Sequence, residues 1–412
     1  MQTNEIIQAL NNPNALENLY QTKQTEFLAW WLAEATEKYP ESETLQVWNA
    51  RITFSNIPAS NKSVVQPVHV FFISIIAGTL VKLHTFIDTG WYLSRFVPVI
   101  VIGSLMTYFS FLESHKNKNV PILGILICIN VLLLLPDVTS SASITMSLIH
   151  MPLVLLSLLA LTFMGNDWKS DKLRILFVRY LGEVLIYTVI ILLGGIVLTF
   201  LTLALFSLIH IDMTNWYLNN VVVFGLVASP IVATYLYDVV LGRESRLATI
   251  IANIFSPLVL VTVCVYLLAI IVQGKSPYVD RDFLITINGL LLVVLAITIY
   301  SLSGKGSISN RPLTDTINIC LVAVTLVINV YALSAILFRL AEYGISPNRV
   351  SVTGANILIF GHLILILNNY IAHIRHRYSS ERLLNTVTKY FPFYTGWSVL
   401  MVIGLPVAFG FR

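Results

Sequence analysis

Charged residues and cysteines are scarce in this chain of 412 residues. Aspartate, glutamate, lysine and arginine together make up 11% of the sequence, whereas soluble domains carry about 25%. So few charges cannot cover the surface of a soluble protein of this size, and hydrophobic residues reach 56%. The composition therefore excludes a soluble enzyme, a disordered protein and a nucleic-acid-binding protein, and it predicts a polytopic membrane protein.

Signature motifs of catalysis and metal binding are also missing. The sequence has no GxxxxGK[ST] phosphate-binding loop, no HExxH zinc motif and no GxSxG nucleophile motif. Its three cysteines all lie within apolar runs, which is typical of small buried side chains rather than of disulfides or zinc ligands. We therefore expect no cofactor, no metal and no catalytic residue. The cysteines are Cys128, Cys264 and Cys320.

Residues 1–60 differ from the rest of the chain in charge. They hold seven acidic and three basic residues, whereas the remainder of the chain is net positive. Asn12-Pro13 is typical of a helix cap followed by proline at the first helical position. We predict an acidic helical cytoplasmic unit over 1–60 that could dock a protein partner through exposed tryptophans. These tryptophans are Trp30, Trp31 and Trp48.

Long apolar runs occupy the chain from residue 67 to residue 412. Crossing about 30 Å of hydrocarbon takes roughly 20 helical residues, and the runs lack the alternation of barrel strands. We therefore predict an all-α, polytopic transmembrane helix bundle over 67–412, with eleven spans. The number would be ten if the last run, interrupted by Gly396, Gly404 and Pro406, does not cross. The predicted spans are 67–87, 91–112, 120–136, 144–164, 183–209, 217–240, 250–272, 283–302, 315–338, 350–371 and 391–411.

Lysine and arginine are unevenly distributed between the connections. Alternate connections place 16 of them on one side of the membrane and five on the other. The positive-inside rule then puts the amino terminus in the cytoplasm. The basic segments 166–181 and 373–390 also carry apolar and aromatic residues, so we expect them to lie at the head groups and to attract anionic lipids. Simple topological anchoring is the alternative.

Prolines within three predicted spans point to a candidate site. Pro152, Pro230 and Pro257 each remove a backbone hydrogen bond and can kink their helix. Kinked neighbouring helices often frame a cavity near mid-depth. We hypothesise a polar cavity there, although the kinks could instead serve only to improve packing. The candidate lining residues are His150, Ser229, Asn253 and Ser256.

Other polar residues in the spans have more ordinary interpretations. We expect His150 and His362 to be neutral and hydrogen-bonded to a neighbouring helix, and Glu183 and Asp238, near span ends, to reach the head groups. Asparagines at depth must bond to another helix or to water. Small residues permit close helix contacts, and the candidates are Gly194, Gly195, Gly225, Ala228 and Gly361.

Two stretches in the carboxyl-terminal half carry a resemblance. They are AEYGISPNR, from Ala341 to Arg349, and KYFPFY, from Lys389 to Tyr394, which runs on to Trp397 and to Leu405-Pro406. Both resemble a family of bacterial polytopic membrane proteins known only as a domain of unknown function. The resemblance implies a multi-pass protein of the bacterial inner membrane, and it implies no substrate, cofactor or catalytic residue.

The first of these stretches also has a physical interpretation. Gly344 suits a helix end that needs a positive φ, and Pro347 suits the start of the next segment. Arg339 and Glu342 stand three residues apart on one helical face and can pair, and Arg349 can reach the same carboxylate. This polar turn is either a rigid structural element or a site for an anionic ligand or lipid head group.

Three functions remain open at this point. Transport or lipid handling is favoured by the number of spans, the kinks and the polar residues at depth. A non-catalytic scaffold, sensor or complex subunit is favoured by the acidic unit over 1–60. An intramembrane enzyme would need an acid, base and metal cluster that the sequence does not supply.

Overall fold

Every regular element in the described part of the chain is a helix, and no strand occurs there. The structure is a computed structural model that describes residues 12–22, 47–48, 65–111, 119–137, 141–243, 245–273, 281–303, 312–375 and 380–412. Contacts divide the chain into two compact units, Met1–Val64 and Val65–Arg412.

The first unit contains helix α1, Pro13–Thr22. The Asn12 side chain accepts a hydrogen bond from the Ala15 amide at 3.2 Å, so the predicted cap and the predicted proline start are confirmed. Trp48 is buried and packs edge-on against Tyr20, with ring centroids 5.4 Å apart. It is therefore not part of an exposed docking surface. Trp30, Trp31 and most of the predicted acidic unit lie outside the described residues.

The second unit consists of apolar helices joined by short connections. They are α2 (Pro67–Lys82), α3 (Thr89–Phe111), α4 (Asn119–Leu134), α5 (Ala142–Met164), α6 (Asp171–Leu208), α7 (Thr214–Val240), α8 (Leu247–Gln273), α9 (Arg281–Ser303), α10 (Pro312–Tyr343), α11 (Pro347–Ile374), α12 (Ser380–Lys389) and α13 (391–408).

Ten stretches of the described residues are long and apolar enough to cross a membrane, and the chain is thus an all-α, multi-pass membrane protein. Helix α4 falls short of that length with 16 residues, a rise of about 24 Å. The last predicted span is continuous despite Gly396, Gly404 and Pro406, because a π-helical turn at Leu400–Gly404 absorbs the irregularity.

Two separate clusters of buried apolar side chains lie within this unit. The first is formed by α2 to α7, with Val402 of α13 added to it. The second is formed by α8 to α12, and Phe391 and Tyr394 of α13 pack against it. We call these groups of helices the N-bundle and the C-bundle. Helix α13 contacts both cores and joins them.

Polar contacts between helix ends show how α3, α4 and α7 are oriented relative to one another. Tyr108, late in α3, donates a hydrogen bond to Asp238, late in α7, at 3.1 Å. At the other end, Arg95, early in α3, donates to the carbonyl of Pro136, just after α4, at 3.1 Å. Helix α4 therefore also runs from one end to the other. We call the end with Asp238 the basic end, since the connection after α7 carries Arg243 there, and the end with Arg95 the opposite end.

Close helix contacts occur at glycines other than most of those predicted. A Cβ atom on Gly78 would lie 2.2 Å from the ring of Phe224, and one on Gly354 would lie 1.9 Å from the ring of Trp397. By contrast, nothing lies within 4 Å of such an atom on Gly194, Gly195 or Gly225. Glycines thus make room for large aromatic rings on other helices, and the sequence alone does not show which ring packs on which glycine.

Candidate functional site

Polar side chains join α5, α11 and α13 where the two bundles meet, and we call this set of contacts the seam. His150 of α5 faces Ser351 of α11, with Nε2 3.5 Å from the hydroxyl oxygen. The hydroxyls of Ser157 in α5 and Thr395 in α13 lie 2.8 Å apart. Counted at 1.5 Å per residue from Ala142, these contacts lie about 12 Å and about 22 Å along α5. The seam thus carries polar groups at two depths.

His362 of α11 is the most enclosed residue of the seam. It has no solvent exposure, and its Nδ1 lies 3.0 Å from the hydroxyl of Tyr394. Its ring stacks on Tyr390, with centroids 4.5 Å apart. The Tyr390 hydroxyl would in turn lie 2.8 Å from a Cβ atom on Gly361. The predicted close approach at Gly361 is therefore made by a tyrosine hydroxyl, and the predicted bond from His362 to a neighbouring segment is present.

Ser229 serves its own helix. Pro230 has no amide hydrogen for the carbonyl of Leu226 four residues earlier, and the Ser229 hydroxyl donates to that carbonyl at 2.8 Å. The same repair recurs at the seam, where Pro406 leaves the carbonyl of Val402 free. Ser147 of α5 donates to that carbonyl at 2.8 Å. Sequence analysis assigned Ser229 to a cavity, but its hydroxyl is engaged by backbone.

Asn253 and Ser256 enter one buried hydrogen-bond network near the basic end of the C-bundle. The hydroxyl of Ser256 donates to Asn318 at 2.5 Å, and that of Ser301 donates to Asn253 at 2.6 Å. Asn318 links the two pairs by donating to Ser301 at 2.7 Å. The network continues through Tyr370, which donates to Asp315 at 2.9 Å. Four helices, α8 to α11, are thereby tied together.

The four candidate cavity residues are consequently spread over different environments. Asn253 and Ser256 share the C-bundle network, His150 contacts the seam, and Ser229 bonds to its own helix. Sequence reasoning missed Ser301, Asn318, Tyr370 and Asp315. Asn318 is visible in the sequence as an amide within an apolar run, but the sequence does not show which helices it contacts.

Several buried polar atoms in the C-bundle have no hydrogen-bond partner among the described residues. They belong to α10 and α11, and the residues that carry them are at most 2% exposed. Native proteins pair the great majority of such atoms, so this concentration on two adjacent helices marks a second candidate site. The atoms are Thr325 Oγ1, Asn329 Nδ2 and Oδ1, Asn356 Oδ1 and His362 Nε2.

Glu183 and Asp238 are both held by partners within the protein. Glu183 is 1% exposed and accepts hydrogen bonds from the Ala248 amide at 2.8 Å and from the Ser245 hydroxyl at 2.7 Å. It therefore caps the amino terminus of α8, where a negative charge is stabilised. Asp238 forms an ion pair with Arg243 and accepts from Tyr108. Both carboxylates thus tie helices together at the basic end.

The polar turn between α10 and α11 has the predicted backbone but different side-chain partners. Gly344 has a φ of 74°, and α11 begins at Pro347, as predicted. The Arg349 guanidinium donates to the carbonyls of Tyr343 and Gly344, each at 2.7 Å. Glu342 is exposed, and none of the ion pairs found among the described residues involves it. Carbonyls at a helix end lack partners within the helix and attract cations, which explains the choice made by Arg349.

The two basic segments predicted to bind lipid come together at the start of α6 and the end of α12. Lys389 lies 3.9 Å from a carboxylate oxygen of Asp171, and Arg174 lies 4.0 Å from the other. These helices pack against one another. The two segments therefore meet at Asp171, whereas Arg179 of the first segment donates to the carbonyl of Ser303 at the end of α9.

The chemistry available at these sites is hydrogen bonding. Within the ranges that the structure describes, no three His, Cys, Asp or Glu side chains gather as a metal site would require. The seam and the C-bundle supply hydroxyls, carboxamides and imidazoles. Groups of this kind can bind and release a polar guest without a large electrostatic cost.

No family model, no curated protein and no solved structure matches this chain.

Proposed function

We propose that this chain is a membrane carrier in which the N-bundle and the C-bundle move relative to one another about the seam and pass a small polar solute. The observation that carries the proposal is that two separately packed cores meet along polar side chains. Polar residues inside a membrane are costly and tend to mark solute and ion pathways.

The polar contacts of the seam are few and weak, and a second link between the bundles lies at the basic end, where Glu183 of α6 caps α8. Hydrogen bonds between membrane helices contribute on average about 0.6 kcal/mol. Helix α13 contacts both cores, so it is the element about which one bundle can turn against the other. Many transporters bind solute at the interface between two such halves and rock about it. Lipid handling would use the same seam with a lateral opening.

The proposal also covers the orientation of the chain, the membrane in which it lies and its binding partners. We place the basic end in the cytoplasm, because lysine and arginine concentrate in cytoplasmic connections, and the amino terminus on the same side. The bacterial inner membrane follows from the resemblance at Ala341–Arg349. Anionic lipids are the expected ligands of the basic surface around Asp171 and Lys389. Docking of a protein partner through residues 1–60 remains the alternative function.

The test is a distance measurement that needs no knowledge of the solute. Spin labels placed at exposed Leu134 of the N-bundle and exposed Tyr343 of the C-bundle should show two distance populations in lipid vesicles. Labels at Phe86 and Leu134, both in the N-bundle, serve as the control and should show one. A single narrow distribution for the first pair would contradict a moving carrier.

A matched functional test uses the seam itself. Cysteines replacing Ser157 and Thr395, whose hydroxyls lie 2.8 Å apart, should form a disulfide that fixes α13, the helix that joins the bundles, to α5 of the N-bundle, after the native cysteines are replaced by alanine. In vesicles, flux of polyols, amides and amino acids should exceed that of empty vesicles, should fall on oxidation and should recover on reduction. Flux that is indifferent to the disulfide would argue against the seam.

A further inference from the structure

Helices α10 and α11 of the C-bundle carry buried polar atoms that have no hydrogen-bond partner among the described residues. Several asparagines and threonines elsewhere in the spans bond back to their own helix. Asn369 donates to the Leu365 carbonyl at 2.9 Å, and Thr298 donates to the Val294 carbonyl at 2.8 Å. The amide of Asn329 and the hydroxyl of Thr325 make no such bond, although both residues are fully buried. Their polar atoms are therefore available to a guest.

Asn329 and His362 lie at the same level of the bundle. The two helices are antiparallel neighbours joined by the turn at 344–346. Asn329 is 14 residues before Tyr343, about 21 Å from the turn, and His362 is 15 residues after Pro347, about 22 Å from it. Each carries a buried atom without a partner. The two antiparallel helices thus each place a polar group without a partner at the same depth.

Asn356 lies about 14 Å from the turn and on a different face of α11 from His362, so it is not part of this set. Its Nδ2 donates to Oδ1 of Asn288 in α9 at 2.9 Å, which leaves its own Oδ1 without a partner among the described residues. Thr325 lies one helical turn from Asn329 on the same buried stripe of α10. The unpaired atoms near the level of His362 therefore include the amide nitrogen of Asn329 as donor, its carboxamide oxygen as acceptor, and the Thr325 hydroxyl, which is both.

The surroundings of these atoms select against charge. Helix α10 has no Lys, Arg, Asp or Glu between Asp315 and Arg339, and α11 has none between Arg349 and its end at Ile374. Helix α9 has none over 284–303. An ion in this environment would lack an opposite charge, which is strongly unfavourable in hydrocarbon. A neutral guest with both donors and acceptors would satisfy the unpaired atoms instead.

We propose that Thr325, Asn329 and His362 form a binding site for a small uncharged solute that both donates and accepts hydrogen bonds, such as a polyol or an amide. The site gives the solute class for the carrier proposed above and rests on that function for its role. Binding itself does not require movement of the bundles.

Saturation-transfer NMR on the full-length protein in detergent tests the site at equilibrium. The probes are erythritol and urea as neutral solutes, and methylammonium and acetate as charged ones. We expect a saturable signal from at least one neutral probe and at least a five-fold weaker signal in the variants Asn329→Leu and Thr325→Val. The matched control Asn369→Leu removes an asparagine of α11 that bonds to its own helix, and it should keep the wild-type signal.

Other results of the same NMR measurement would overturn the proposal. Equal signals in wild type and Asn329→Leu, or stronger signals from methylammonium or acetate, would overturn the proposal. The same holds if neither neutral probe gives a signal, since water would then be the only guest. Size-exclusion profiles and melting temperatures identify variants that fail to fold, and Thr325→Val provides a second, smaller change. Binding without flux would leave this site intact and refute the carrier, whereas flux without binding would do the reverse.

Discussion

The N-bundle and the C-bundle reach similar helical packing with different side chains. Aromatic rings fill much of the N-bundle core, where Phe109 contacts both Phe163 and Tyr180 edge-on. In the C-bundle the buried apolar residues are aliphatic apart from Tyr370, and buried asparagines, threonines and a histidine interrupt them. Large rings fill space with few unpaired polar atoms, whereas short aliphatic side chains leave room for polar groups between helices. The comparison shows that the N-bundle core is packed largely with rings, whereas the C-bundle core combines aliphatic side chains with buried polar groups.

The unpaired buried atoms follow the same division. In the N-bundle they lie on three different helices, and two of the residues are near helix starts, His69 in the first turn of α2 and Arg95 in the second turn of α3. In the C-bundle several are concentrated on α10 and α11. Scattered atoms near helix ends can reach head groups or water, but a concentration at depth cannot. The following variants should break or sharpen this contrast, from the largest expected effect to the smallest.

Removing a ring from the N-bundle should have the largest effect. Phe109 is 3% exposed, so Phe109→Ala leaves a cavity and should lower the free energy of unfolding by about 3–5 kcal/mol. Phe200 is 71% exposed, and Phe200→Ala should have a small effect because lipid replaces the ring. Unfolding by SDS titration measures both. Equal losses for the two variants would mean that the aromatic core does not set the stability of the N-bundle.

Adding a methyl group at Gly354 should have the next largest effect, because it pushes Trp397 and α13 away from α11. The new atom would lie 1.9 Å from the indole ring, and overpacking of this kind costs about 1–3 kcal/mol. Gly225→Ala is the control, since its surroundings are open, and it should be neutral or slightly stabilising. The SDS midpoint and the Trp397 fluorescence spectrum should both shift for Gly354→Ala alone.

Weakening the cap of α8 tests the link between the bundles at the basic end. Glu183→Gln replaces a charge-assisted bond to the Ala248 amide with a neutral one, which should lower stability by about 1–2 kcal/mol. Glu342→Gln changes an exposed carboxylate without a described ion pair and should leave the unfolding midpoint unchanged. A larger loss for Glu342→Gln would restore the predicted ion pairs of the polar turn.

Removing the Ser229 hydroxyl, which bonds to the carbonyl that Pro230 cannot pair, should have the smallest effect on stability. Ser229→Ala removes the bond to the Leu226 carbonyl and should cost about 0.5–1.5 kcal/mol. In a Pro230→Ala background the new amide can satisfy that carbonyl, so Ser229→Ala should then cost almost nothing. A double-mutant cycle measures the difference. An unchanged cost in the second background would show that Ser229 acts elsewhere.

The candidate site was only partly predictable from the sequence. His150, Asn253 and Ser256 could be selected as polar residues near prolines or within spans, and His362 as a histidine at depth. Their partners Ser351, Ser301, Asn318 and Tyr394 lie between 32 and 201 positions away along the chain. Because helix periodicity carries no information about which helices touch, these pairings could not be derived. Ser229 was misassigned because its proline was treated as a cavity marker rather than as a source of a free carbonyl.

The sequence by itself determined that this chain is a helical, multi-pass membrane protein, where its helices lie, and the backbone of the turn at Gly344 and Pro347. Those features follow from local composition, because a backbone in hydrocarbon must pair within its own segment and because glycine and proline act on their own φ angles. Only the tertiary structure decided the division into two cores, the seam and the unpaired atoms of α10 and α11. These depend on which distant side chains meet, and in a membrane that is settled by the packing of shapes and hydrogen bonds rather than by hydrophobicity.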